Sequence, residues 1–86
     1  MKININMPAY SSEMGFKLEW EDNFYIDCSV DKETVKISAN QEGLISLANH
    51  LLNLAQGEVP LNTHLHFDDH NSLEEGSSQI IIEKVK

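Results

Sequence analysis

A single amphipathic segment, NQEGLISLANHLLNLAQG at 40–57, limits what this chain can fold into. Leu44, Ile45, Leu47, Ala48, Leu51, Leu52, Leu54 and Ala55 recur at three- and four-residue spacing, while Ser46, Asn49, His50, Asn53 and Gln56 fall on the opposite arc. That periodicity predicts a helix with one wide apolar face, with Leu51 in the core and His50 at the surface. Asn40 is suited to cap the first free amides, and Glu42 to lie at the positive end of the helix dipole. Gly57 is suited to a left-handed residue after the last turn, and Pro60 prevents resumption. Every other periodic run is short and alternating, so the helix needs a sheet to lie on.

The alternating runs are KININ at 2–6, FKLEWE at 16–21, FYIDCSV at 24–30 and TVKISA at 34–39. Asp22-Asn23 and Asp31-Lys32-Glu33 separate the last three with turn-forming residues, the signature of an antiparallel meander. After the helix, NTHLHFDD at 62–69 alternates Leu65 and Phe67 against His64, His66 and Asp68. In QIIIEKV, at 79–85, Ile80 and Ile82 share one face and Ile81 and Val85 the other, which predicts a strand that is central in the sheet or covered on both sides. The expected architecture is a single α+β domain over 1–86: one antiparallel sheet, a helix across one face, in the order β-β-β-β-α-β-β.

Fourteen acidic against six basic residues give a net charge of -8, with 41% hydrophobic residues. Such a surface repels nucleic acid and anionic membranes and favours basic partners. The lone Cys28 cannot form an internal disulfide, which fits a reducing compartment. Lys2 is followed by alternation rather than an apolar run, and no run is long enough to span a bilayer. The expectation is a cytoplasmic protein.

Chemistry is sparse. His64, His66 and Asp68 project to one side of their strand, and with His70 they could form a small metal-binding module. The run approaches the HxHxDH motif of metallo-β-lactamase-type hydrolases but departs at Asp69, and that fold needs a far longer chain. The simpler reading is a solvated strand face. Cys28 falls among inward positions near Asp27 and Asp31, which disfavours a reactive thiolate. Gly43 and Gly76 are isolated, so no phosphate loop is present. Nothing points to catalysis or a cofactor. A structural domain that self-associates through a strand edge also stays open, leaving room for a homo-oligomer.

EGLISLANHLLNLAQ, VPLNTHLHFDD and NSLEEGSSQIIIEK together resemble immunity-protein family 32 of bacterial polymorphic toxin systems, over about 38–84. The resemblance is carried by GLxxLAxxLLxLA from Gly43 to Ala55, by HxHxD at His64, His66 and Asp68, and by LEEGSS before the last strand. It implies a non-enzymatic, stoichiometric inhibitor of a cognate toxin, with acidic residues facing a basic toxin surface. The helix can cover only one sheet face. The other should carry Lys17, Glu19, Glu21, Tyr25, Asp27, Ser29, His64, His66 and Asp68. Tyr25, Asp27, His64, His66, Asp68 and Asp69 are therefore the candidate partner-binding residues.

Overall fold

The computed structural model describes residues 2, 4, 10, 11, 13, 15 and 18–86. The β-branched runs on either side of Lys32-Glu33 pair as antiparallel strands β1 (Ile26–Asp31) and β2 (Thr34–Ala39). Cys28 lies opposite Ile37 and Val30 opposite Val35, with Lys32 turning the chain at a φ of 56°. Helix α1 (Gln41–Leu54) follows, and a second antiparallel hairpin joins β3 (His64–Phe67) to β4 (Ile80–Glu83). Ile26, Cys28, Leu54, Val59, Leu65, Phe67 and Leu73 form the buried core.

The fold is α+β, but among the described residues the expected single sheet is two two-stranded sheets. Residues 74–78 occupy the other edge of β1: the Glu74 amide donates to the Ile26 carbonyl at 2.9 Å and the Ser78 amide to the Cys28 carbonyl at 2.8 Å. Between those bonds the Ser77 hydroxyl, not a main-chain carbonyl, accepts from the Cys28 amide at 3.1 Å. Four steps of this segment span two of β1, so no ladder register can pass from β1 to β4. Nor is the last strand covered on both sides. It pairs with β3 alone, and Ile81 is 60% exposed. Of the strand expected at 16–21, the described residues 18–21 are irregular; the Glu21 amide donates to the Ser46 hydroxyl at 2.9 Å rather than to a neighbouring strand. The strand expected at 2–6 lies largely outside the described residues, as does Lys17.

The cap at Asn40 is present: its side-chain oxygen accepts from the Gly43 amide at 2.8 Å. The same oxygen accepts from the Tyr25 amide at 2.9 Å, and its Nδ2 donates to the Asn23 carbonyl at 2.9 Å. The other terminus differs from expectation. Gly57 does not adopt a positive φ, and the Lys84 ammonium, arriving from beyond β4, takes the Gln56 and Val59 carbonyls at 2.6 and 2.9 Å. A cation there suits the negative end of the dipole.

The helix is rotated against its hydrophobic pattern. Gly43, Ser46, His50, Asn53 and Leu54 are buried, while Leu44, Leu51 and Leu52 are 56%, 45% and 45% exposed. The reason is the closeness of the approach at its first turn. A Cβ on Gly43 would overlap the Tyr25 carbonyl oxygen and lie 2.9 Å from Ile26 Cγ1, so only glycine fits where the helix crosses β1. Ser46, one turn on, is small enough to meet the backbone at Glu21, and its hydroxyl also donates to the Glu42 carbonyl at 2.9 Å. Asn53 donates to the Asn49 carbonyl and side chain at 2.8 and 3.0 Å. The buried polar arc is thus largely satisfied within the helix.

His50 is the exception. Its ring is fully buried, edge-on to Trp20 at 4.3 Å and stacked on Phe67 at 5.8 Å between centroids, and neither nitrogen has a hydrogen-bond partner among the described residues. Desolvation lowers its pKa from 6.5 to about 4.

Two stability outcomes follow from this rotation. Gly43→Ala at an open helix site would stabilise by about 1 kcal/mol. Here urea unfolding should show a loss of about 1–3 kcal/mol from overpacking, and a gain would mean that the helix faces the other way. For His50, the unfolded chain takes up a proton below pH 6.5 that the folded chain refuses until about pH 4. Stability is therefore lost progressively across that window, by about 3 kcal/mol in all. His50→Leu removes this slope, so the difference in unfolding free energy between variant and wild type should widen from neutral pH to pH 4.

Candidate functional site

The residues after β3 form a turn held by two aspartates. Asp68 Oδ1 accepts from the amides of His70 and Asn71 at 2.9 and 3.1 Å, and its carbonyl accepts from the amides of Ser72 and Leu73 at 3.1 and 2.9 Å. Asn71 answers: its side-chain oxygen accepts from the Asp68 amide at 3.0 Å, and its Nδ2 donates to the His66 carbonyl at 3.1 Å. Asp69 Oδ2 accepts from the Gly76 amide at 3.2 Å, where Gly76 takes a φ of 84°. This is the local chemistry that makes Asp and Asn favour turns.

The loop then crosses to β1. The Ser77 hydroxyl donates to Asp27 Oδ1 at 3.2 Å while accepting from the Cys28 amide. Residues 76 and 77 thereby bring Asp27 and Asp69 onto one structural unit, together with the exposed Glu74 and Glu75. Asp27, Asp68, Asp69, Glu74 and Glu75 form a run of negative charge along β1 and the turn. Glu74 and Glu75 are absent from the face expected from the sequence. The signal was the LEEGSS run itself, whose glycine and serine are the joints that dock it.

His64 and His66 point outward from β3 while Leu65 and Phe67 are buried, as alternation requires. His66 Nε2 is 2.8 Å from Gln79 Oε1 and 3.7 Å from Asp68 Oδ2, and His70 Nε2 is 3.6 Å from Asp69 Oδ1. Among the described residues no three His, Cys, Asp or Glu side chains converge on a point that could hold a metal ion. Asp68 is committed to the turn instead. Tyr25 is 45% exposed, and its backbone ties it to Asn40 at the helix start rather than to the turn. Cys28 is buried, in keeping with its inward position.

Beside His66 lies a cleft of about 190 Å³ lined by Leu18, Trp20, His66, Phe67, Asn71 and Ser72. It has room for one large side chain and falls short of the roughly 300 Å³ at which small-molecule pockets begin. No described helix is long and apolar enough to cross a membrane.

The sequence profile of the family described as Immunity protein 32 matches residues 34–85, more than half of the chain. The chain belongs to that family. The match begins at β2 and takes in α1, β3, the acidic turn and β4. Membership implies a protein toxin as partner in general terms. No curated protein matches the chain, and no solved structure does. Within the family segment, Gly43, Asp68, Gly76 and Ser77 hold the fold together.

Asp68→Ala should lower stability by about 1–2 kcal/mol, the usual cost of losing a capping oxygen. Asp68→Asn keeps an acceptor in the same place and should stay within about 0.5 kcal/mol. Equal losses for the two in urea unfolding would show that the carboxylate charge, not the cap, holds the turn.

Proposed function

We propose that this immunity-family chain is a stoichiometric inhibitor, without enzymatic activity of its own, that binds and neutralises a cognate toxin in the bacterial cytoplasm. Family membership carries the reading, and the acidic run of Asp27, Asp68, Asp69, Glu74 and Glu75 supports a basic toxin surface as its target. Tyr25 is the aromatic anchor, at the end of the face nearest the helix cap. His64 and His66 extend the face along β3, and the cleft beside His66 accepts one toxin side chain. The toxin's chemistry is stopped by occupancy, which requires no catalytic group.

Charge on such a face acts first on encounter. Opposite fields accelerate association, and salt screens them over about 10 Å at 0.1 M. The combined variant Asp27→Asn, Asp68→Asn and Glu74→Gln should therefore slow association with the toxin domain about tenfold at low salt, and less as salt is added. Tyr25→Ala should mainly accelerate dissociation. Surface plasmon resonance against the cognate toxin domain reads both. Wild-type kinetics for both variants would move the interface off this face, and absence of any complex would overturn the inhibitor reading.

A further inference from the structure

The rotation of α1 leaves an apolar stripe facing solvent. Leu44, Ala48, Leu51 and Ala55 are all exposed, with Leu52 beside them. Their spacing of four, three and four residues is that of a helix–helix seam. We propose that this stripe is the contact surface for a second copy of the chain, its helix packed antiparallel to the first across a two-fold axis.

The stripe is complementary to itself. A two-fold axis between Ala48 and Leu51 sets Leu44 level with Ala55 of the second copy, and Ala48 level with its Leu51. Every layer then joins one large and one small side chain, and each contact occurs twice, as an isologous interface demands.

Charge selects this occupant over a basic protein. From Gln41 to Leu54 the helix carries one ionised residue, Glu42, so it offers no negative field to a basic partner. A second copy with net charge -8 would be repelled by most of this surface. In the antiparallel arrangement, however, the two Glu42 carboxylates, the only ones on the paired helices, lie at opposite ends of the seam, so they do not meet. An uncharged apolar centre is the character of homodimer contacts. The seam lies on α1, whereas the acidic run lies on β1 and the 68–76 turn, so the dimer does not depend on the toxin-binding reading.

Sedimentation equilibrium on the wild-type chain, from low to high micromolar concentration, should show a reversible monomer–dimer exchange. Leu51→Glu sets a carboxylate into each half of the seam and should weaken the dimer by about tenfold or more, while the far-ultraviolet helix signal is unchanged. Ala48→Glu, at an exposed small residue, should do the same and decides the matter if Leu51→Glu loses its helix signal. A wild-type chain that is monomeric throughout the range overturns the proposal. So does a dimer that survives both substitutions. Loss of the helix signal in both variants also overturns it, since the stripe would then be buried in the monomer.

Discussion

The side-chain amide of Asn40 joins the start of α1 to the segment 23–25 that leads into β1. Its oxygen accepts from the Gly43 and Tyr25 amides, its nitrogen donates to the Asn23 carbonyl, and its own backbone amide donates to the Tyr25 carbonyl at 3.1 Å. One residue thereby caps the helix and clamps it to the strand it crosses. With the first turn held there, the residue at 43 must meet the Tyr25 carbonyl, and only a glycine can. The rotation of the whole helix about its axis follows from that contact, because successive side chains are set about 100° apart. Ser46, His50 and Asn53 are carried inward with Gly43, and Leu44, Leu51 and Leu52 are carried out.

This arrangement exchanges apolar burial for closeness. A leucine face would hold the helix a side chain's length from β1; a glycine and a serine let backbone approach backbone. The polar side chains taken inside are tolerable because Ser46 and Asn53 bond to their own helix, and those bonds need no partner from elsewhere. His50 lacks such a bond and lies between two aromatic rings. Its desolvated imidazole is the least compensated group in the interior, and it makes the fold sensitive to acid.

The second hairpin is attached by two isolated main-chain bonds and a serine hydroxyl rather than by a strand ladder. Ser77 stands in for a backbone carbonyl opposite Cys28, and Asp69 holds the Gly76 bend that brings it there. The same residues that dock the loop also concentrate Asp27, Asp68, Asp69, Glu74 and Glu75 in one region. Attachment and surface charge thus share a segment, which explains why an immunity-family protein can carry so acidic a loop without its charges forcing the loop away from the body. The leucine stripe of α1 is a separate surface, apolar where the loop is charged.

Short-range pattern was legible because its physics is local. Alternation located β1, β2 and β3, and an apolar run located β4; the alternating run at 16–21 is irregular over the described residues 18–21. The three- and four-residue period located α1, and Asn40 its cap, since each depends on residues within a few positions of one another. The HxHxD and LEEGSS motifs likewise pointed to the family and to the region of the candidate site. Which helix face turned inward was not legible from apolar count, because Gly43 decides it by what it lacks, and the atom it must clear belongs to Tyr25, far away in sequence. The division into two sheets was equally hidden, because it rests on a Ser77 hydroxyl meeting the Cys28 amide across most of the chain. The sequence by itself determined the elements and the sign of the surface; tertiary contact decided the helix's facing and the break in the sheet, since both depend on close approaches between segments that periodicity does not register.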